Sequence, residues 1–340
     1  MANDRLRAAR EGTPSRRHPG PIGRDELAAL VSEFVTKHDE RGRLSAFDAN
    51  HLGKLERGTV ARPSPPIRAA LCALLDASEA DLGFVPQCGT ERVSAALIGT
   101  VHTDRAALEC VAQVLASLRR LEDATSAGEV LPTVRTQAAL VSRLADNARS
   151  PLRKQAVGLL SELEQYLGWL SIPLERWEES RKHLDRASVL ALEADDPMRL
   201  STALSFAAYR NLRRDHLRSA EALNEAAARD ERVHVGLRTY VQFQRAEVLA
   251  RDGSRTEALD ALKVADHLAD ELPDDEDELP SSAYWYVPSF FHGQRAFVLK
   301  ALGDEREARR IATEALEIMP PSWRDSEWAG RRRKLAELDA

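Results

Sequence analysis

Apolar residues recur three and four positions apart along most of the chain, the spacing that places them on one face of an α-helix. From Thr103 onward no segment alternates apolar and polar residues as a half-buried strand would. The clearest apolar series are Leu27, Leu30, Val31, Phe34 and Val35, and then Leu108, Val111, Val114, Leu115, Leu118 and Leu121. We therefore predict an all-α protein.

Glycine and proline divide the first 85 residues into short helical segments. Breaks are expected at 12–21 and 63–66, because both residue types are disfavoured inside helices. Asp25 is a suitable N-cap for the second segment. The predicted segments are 4–10, 26–35, 46–57, 67–75 and a half-turn at 80–84. Together they have the size of one small helical domain, 1–85.

The segment at 46–58 combines an apolar seam with a polar face. Leu52 and Leu55 share one side of the helix, and Asn50, His51 and Lys54 fall on the other. Amide, imidazole and ammonium groups are side chains that reach base edges and phosphates in a DNA major groove. An ordinary amphipathic surface helix would show the same pattern, so this segment alone leaves both interpretations open.

The sequences DELAALV at 25–31 and LGKLERG at 52–58 resemble the lambda-repressor-like (XRE) helix-turn-helix family. In that family an "ELA" helix precedes a recognition helix that ends in I-x-x-[LIW]-E-x-G. This chain departs from it by placing roughly ten residues, 38–47, where the family has a tight turn, and by lacking the R-x-x-x-G-x-[ST]-Q lead-in. The resemblance implies a helix-turn-helix DNA-binding domain.

Roles follow from that resemblance position by position. Asn50, His51 and Lys54 would face the DNA groove, and Glu56 would pair within the domain. Arginines would hold the phosphates: Arg57, Arg43, Arg62 and also Arg41. Lys54 and Arg57 would equally suit a solvated helix surface.

The remainder of the chain is predicted to form successive helix pairs. A helix is expected at 105–123 and another at 131–145 after a break at Gly128. Small residues around a glycine, followed by a proline, occur at 296–320. The small residues and the glycine recur at the same spacing at 246–265, and more weakly related patterns occur at 208–227 and 168–187. The spacing resembles the tetratricopeptide repeat (TPR), whose period is about 34 residues. Here the equivalent alanines Ala187, Ala227, Ala265 and Ala315 lie 40, 38 and 50 residues apart, the last gap widened by an acidic insert at 274–278. An alanine-rich helical bundle is the alternative.

Stacked helix pairs form a concave surface that suits an extended peptide or a small ligand. First helices of the pairs would supply its lining. The candidate effector-binding residues are Tyr166, Trp169, Tyr209, Asn211, Gln242, Arg245 and Trp285, with Gln294 or Arg295 beside them. The aromatic run at 284–291 is either part of a ligand-facing patch or a protein interface, or core beneath a loop.

Charge is distributed unevenly along the chain. The net charge of −6 divides into +4 over residues 1–75 and −10 over residues 76–340, which fits phosphate contact by the N-terminal domain alone. The three cysteines have neither disulfide nor zinc-site spacing, and no apolar run could span a membrane. We find no phosphate loop, HExxH or GxSxG motif, so we expect a cytoplasmic protein that is not an enzyme and needs no cofactor or metal.

These observations predict three regions: a helix-turn-helix domain at 1–85, a helical connector at 86–150 and a TPR-like α-solenoid of antiparallel helix pairs at 151–340. The combination resembles bacterial one-component transcriptional regulators, including the peptide-responsive type. That likeness implies a homodimer that binds double-stranded DNA and a peptide or small-molecule effector. The alternative is a TPR adaptor whose helix-turn-helix domain contacts proteins instead of DNA.

Overall fold

The computed structural model describes residues 3–38, 47–60, 63–84, 89–150, 152–272, 282–324 and 326–337. The chain divides into two compact units, Met1–Cys110 and Val111–Ala340, and the boundary lies inside the predicted connector. Within the described residues the regular structure is helical, which confirms the all-α prediction, and an isolated bridge joins Pro14 to Pro21. The first unit holds α1 (Asp4–Gly12), α2 (Arg24–His38), α3 (Ala49–Glu56), α4 (Pro65–Leu75) and α5 (Gly89–Leu97), and α6 (Arg105–Ala124) crosses the boundary.

Side chains of the loops fix the helix starts in the first unit. The Asn3 side chain caps α1 by accepting from Leu6 N at 3.1 Å, and its amide donates to Leu82 O at 2.9 Å. Asp48 caps α3. Prolines at the first positions of α4 suit a helix start, because the missing N–H has no intrahelical partner there. Because α2 begins at Arg24, Asp25 lies in its first turn and is not the N-cap.

The core of the first unit lies between α1, α2, α3 and α4. Helix α2 contacts both α3 and α4, and α1 contacts α3. The buried side chains are Leu6, Ile22, Leu27, Ala28, Val31, Phe47, Leu52, Leu55, Ala70, Leu71, Leu75, Leu82 and Phe84. The apolar seam of α3 therefore packs inward, as its spacing predicts.

The second unit continues with α7 (Ala127–Asp146), and then helices that pack in consecutive pairs. The pairs are α8 (Leu152–Ser171) with α9 (Trp177–Ala194), α10 (Pro197–Arg213) with α11 (Leu217–Ala227), α12 (Val235–Arg251) with α13 (Arg255–Asp270), and α14 (Pro288–Ala301) with α15 (Glu305–Glu317). A 3₁₀ turn at Pro321–Trp323 leads to α16 (Glu327–Ala336), which packs on α15. Gly128 lies inside α7, so the predicted break there is wrong.

A residue with positive φ lies in the turn of each pair. Gly253 and Gly303 adopt φ of 87° and 84° between their helices. Glu175 and Asp215 adopt φ of 57° and 62° at the corresponding turns of the first two pairs. Left-handed backbone at these points reverses the chain within a few residues and allows each second helix to pack along the first.

First helices of successive pairs are neighbours. Helix α10 contacts α8 and α12, and α12 contacts α14. Within a pair, small residues allow close approach: a Cβ on Gly168 of α8 would lie 2.5 Å from Leu184 Cγ of α9. In addition, Ser180 Oγ donates to Gly168 O at 2.8 Å. The first helices thus form one row whose side chains meet across pair boundaries. None of the described helices has the length and apolar character needed to cross a lipid bilayer.

Candidate functional site

The polar face of α3 is the first candidate site. Asn50, His51 and Arg57 are exposed and Lys54 is half-buried, whereas Leu52 and Leu55 are in the core. The structure therefore places the four predicted DNA-contacting residues of this helix on its outer side. We call Asn50, His51, Lys54 and Arg57 the α3 polar face.

Gly53 has no side chain, which leaves space on this side of α3 for the side chain of Arg57. Asn50, Gly53, Lys54 and Arg57 follow one another at spacings of three and four, so they form one stripe along the helix. A Cβ on Gly53 would lie 2.9 Å from Arg57 Nη1, so the arginine side chain lies across the glycine. The guanidinium therefore lies against the backbone of α3, on the same side as Lys54.

Asp48 fixes the start of α3 and one side of His51. Its Oδ1 accepts from the backbone N of His51 at 2.8 Å and lies 2.8 Å from His51 Nδ1. The backbone hydrogen bond from His51 is the main cause of the lowered pKa of Asp48. One ring nitrogen of His51 is therefore engaged within the cap, and its ring stacks near Phe47 at 6.0 Å between centroids.

Glu56 anchors α3 from behind. Its side chain is completely buried; Oε1 accepts from Arg10 Nε at 2.7 Å and Oε2 from Arg24 Nε at 2.8 Å. Burial opposes ionisation, but hydrogen bonds from Arg10 and Arg24 outweigh it and lower the pKa of Glu56. The pairing of Glu56 within the domain is thus confirmed, and it ties α3 to α1 and to the start of α2.

Three of the predicted phosphate contacts cannot be placed. Arg41, Arg43 and Arg62 lie outside the described residues. Residues 39–46, which form most of the predicted turn between the two helices, lie outside them too. The helix ends agree with the lengthened turn, since α2 ends at His38 and α3 begins at Ala49.

The second candidate site is a cavity in the unit Val111–Ala340, which we call the aromatic pocket. It contains about 710 Å³ of space, including its open mouth. Its wall carries nine of the 18 aromatic residues of the chain, although aromatics make up only 5% of the sequence. The lining residues are Arg119, Glu122, Asp123, Gln165, Tyr166, Trp169, Phe206, Tyr209, Tyr240, Tyr284, Trp285, Phe290, Gln294, Phe297 and Arg331.

Rings from consecutive first helices contact one another along the pocket. Trp169 of α8 lies 5.6 Å from Phe206 of α10 between ring centroids, Phe206 lies 6.0 Å from Tyr240 of α12, and Tyr240 lies 6.1 Å from Phe290 of α14. These distances are in the range for aromatic pairs. The row of first helices therefore presents a continuous aromatic wall, which would bind apolar or planar groups.

Polar groups occupy other parts of the lining. Tyr284 donates to the Asp123 carboxylate, and Arg119 Nη1 pairs with Glu162 Oε1 at 2.8 Å. Burial, followed by the charge of Asp123, raises the pKa of Tyr284, and burial followed by the charge of Glu122 raises that of Tyr166. Both phenols are therefore neutral donors across the physiological range.

Arg331 reaches this pocket from α16. Its Nη1 donates to the Tyr209 hydroxyl at 2.7 Å, and its guanidinium carbon lies 4.2 Å from the centroid of the Phe297 ring. This is stacking geometry for an arginine on an aromatic face. A cation is thus held beside the aromatic wall.

Four of the predicted effector-binding residues line this pocket: Tyr166, Trp169, Tyr209 and Trp285, together with Gln294. Asn211, Gln242, Arg245 and Arg295 are outside its lining. Asn211 Nδ2 donates to Ala207 O at 2.8 Å, Gln242 is half-buried and Arg245 is exposed. The aromatic run at 284–291 is core, with Trp285 packed against it, and three of its residues, Tyr284, Trp285 and Phe290, also line the cavity.

Sequence reasoning missed the acidic residues of α6, the rings Phe206, Tyr240 and Phe297, and Arg331. The rings carried a signal, since each lies in a first helix, as do the residues that were found. Among the described residues, no cluster of three His, Cys, Asp or Glu side chains suits a metal ion. No protein-family model matches the chain, and neither a curated protein nor a solved structure matches it.

Proposed function

We propose that the chain is a cytoplasmic, homodimeric transcriptional regulator that binds double-stranded DNA through its first unit and an effector through its second. The α3 polar face would enter the major groove, with Asn50 and His51 at base edges and Lys54 and Arg57 at phosphates. The second unit would act as a TPR-like solenoid, and the aromatic pocket would be its effector site.

The observation that carries this proposal is the position of α3. Its apolar side is buried, its end is fixed by the buried Glu56, and its polar side is exposed. A recognition helix needs this combination, because a rigidly held helix can orient several side chains towards one set of base pairs. The arginine folded over Gly53 supports phosphate contact on the same side.

Fluorescence anisotropy with labelled duplexes tests the proposal. The full-length protein is titrated into DNA from upstream of its own and neighbouring genes, and into random duplex, at several salt concentrations. We expect tighter binding to one of the upstream duplexes. The double substitution Asn50→Ala/Lys54→Ala should abolish that preference. Lys37→Ala, which removes an exposed charge from α2, should leave it unchanged.

The adaptor alternative has one observation in its favour, the ten positions between the end of α2 and the start of α3. A helix-turn-helix uses a turn of three or four residues. If no upstream duplex is preferred over random DNA at any salt concentration, the regulator proposal is wrong. Retention of a protein partner by Asn50→Ala/Lys54→Ala would then favour the adaptor.

A further inference from the structure

The charged side chains of the aromatic pocket differ in the partners that they contact. Asp123 accepts from Tyr284, Glu122 is hydrogen-bonded with Tyr166, and Arg119 forms an ion pair with Glu162. Arg331 donates to the neutral Tyr209 hydroxyl, and among the described residues no carboxylate oxygen forms an ion pair with its guanidinium. The charge of Glu247 acts on it without an ion pair, so its guanidinium has donors left for an anionic ligand.

The surroundings of Arg331 keep it charged. Burial lowers its pKa, but nearby Tyr209 and Glu247 raise it by more, so that the net direction is upward. A guanidinium has five N–H donors, of which the structure assigns one to Tyr209. A planar cation stacked on Phe297 can offer two parallel N–H groups to one carboxylate, an arrangement that is stronger and more directional than a neutral hydrogen bond.

The remainder of the pocket limits the size and polarity of its ligand. The space of about 710 Å³, which includes the open mouth, is an upper limit and excludes a folded partner. The wall formed by Trp169, Phe206, Tyr240 and Phe290 favours an apolar or aromatic body. Gln165 and Gln294 add neutral polar groups.

We propose that the aromatic pocket binds a small carboxylic acid with an apolar or aromatic body, and that Arg331 is the residue that holds the carboxylate. The body of the ligand lies along the aromatic wall. This inference rests on the proposed function only in treating the ligand as an effector, because binding is measured in the absence of DNA.

Isothermal titration calorimetry with three probes that share one ring system tests the charge requirement. The probes are 1-naphthylacetate, 1-naphthylacetamide and 1-naphthylmethylamine, titrated separately into the full-length protein at neutral pH. We expect the carboxylate to bind about tenfold more tightly than the amide, because only the carboxylate can form a charge-assisted pair with Arg331. The amine should bind more weakly still, because its charge repels Arg331.

Variants of α16 assign the preference to Arg331. Arg331→Gln should remove the advantage of the carboxylate over the amide, and Arg331→Lys should restore part of it by keeping the charge. Lys334→Gln is the matched control, since Lys334 is an exposed cation on the same helix. It should bind all three probes as the unmodified protein does. Circular dichroism confirms that each variant is folded, and Arg331→Lys decides the matter should Arg331→Gln not fold.

Each contrary result overturns the proposal in its own way. Equal affinity for carboxylate and amide would mean a purely apolar pocket. Preference for the amine would make Glu122 and Asp123 the anchors. A carboxylate preference that survives in Arg331→Gln would place the anion elsewhere, and no binding of any probe at millimolar concentration would exclude this ligand class. Asn50→Ala/Lys54→Ala, which should lose DNA, must keep its affinity for 1-naphthylacetate, so failure of one proposal is separable from failure of the other.

Discussion

Arg10 Nε donates to Glu56 Oε1 at 2.7 Å across 46 residues of sequence, and the carboxylate is completely buried. Removing its charge would leave the mostly buried Arg10 with only the exposed Glu11 as its counter-ion. We expect Glu56→Ala to destabilise the first unit by about 3 kcal/mol, in the range for breaking one partner of a buried ion pair. Glu33→Ala, at an exposed position of α2, should have little effect.

All tryptophans and tyrosines lie beyond residue 110, so their fluorescence reports on the second unit. Stability of the first unit is therefore read from hydrogen exchange of α1 and α3 amides by mass spectrometry. Faster exchange in Glu56→Ala than in Glu33→Ala is the expected result. Equal exchange in both variants would show that the buried pair does not hold α3.

The same carboxylate predicts a dependence of stability on pH. Arg10 and Arg24 hold the pKa of Glu56 below its ordinary value despite burial. A carboxylate whose pKa is lowered by folding contributes stability above its unfolded pKa, and this contribution is lost as the pH falls through the folded pKa. We expect α1 and α3 to lose exchange protection as the solution is acidified below the ordinary glutamate pKa. Glu56→Gln should flatten this dependence.

Asn50 and Arg57 should affect DNA binding differently if the regulator proposal holds. An amide can pair with the adenine edge, so Asn50→Ala should cost about 1–3 kcal/mol at one base position and relax specificity there. Arg57→Ala should weaken binding to all duplexes and lower the slope of log K against log salt by about 0.9, the value for one phosphate contact. Anisotropy titrations at several salt concentrations separate the two. Identical effects of both substitutions would contradict the assigned roles.

Glycine signals two of the turns in the second unit, and its absence from the other two turns explains why the pattern is weaker at 208–227 and 168–187. Gly253 and Gly303 mark turns that sequence reasoning found. Glu175 and Asp215 hold the same left-handed backbone without glycine, which a residue-type pattern does not reveal. Local periodicity thus predicted the helices, whereas the turns of the first two pairs depended on tertiary packing.

The sequence predicted some of the residues of the aromatic pocket that lie on the first helices of the pairs. Trp169 and Tyr209 lie on first helices of adjacent pairs, so their proximity follows from the packing of α8 against α10. Arg331 lies 122 residues from Tyr209 in sequence, and no local pattern signals their contact. Long-range packing of α6 and α16 supplies the charges of the pocket, and a single sequence carries no information on such pairs.

The left-handed backbone at Gly303 and Glu175 predicts how substitutions there change the free energy of unfolding of the second unit. Gly303→Ala places a Cβ at φ of 84° and should cost about 1–2 kcal/mol, the penalty for left-handed backbone in an L-residue. Glu175→Gly relieves that penalty but adds unfolded-state freedom worth roughly 0.5–1 kcal/mol, so its net effect should be small and stabilising. Urea unfolding followed by tryptophan fluorescence measures both. A Gly303→Ala variant as stable as the parent protein would contradict the left-handed turn.

Gly293 of α14 links the stability of the second unit to its pocket. A Cβ at this position would overlap the buried guanidinium of Arg332, whose Nη2 donates to Phe290 O at 2.6 Å. Gly293→Ala should therefore displace α16, and with it Arg331, lowering both the unfolding midpoint and the affinity for 1-naphthylacetate.

Gly330→Ala is the matched control, because its added Cβ would lie 3.8 Å from the nearest atom, Arg333 Nη2. That change should stabilise α16 by about 0.5–1 kcal/mol, the ordinary gain of alanine over glycine within a helix, and leave the affinity unchanged. Unchanged binding in Gly293→Ala, despite a lowered midpoint, would mean that Arg331 is positioned independently of Arg332.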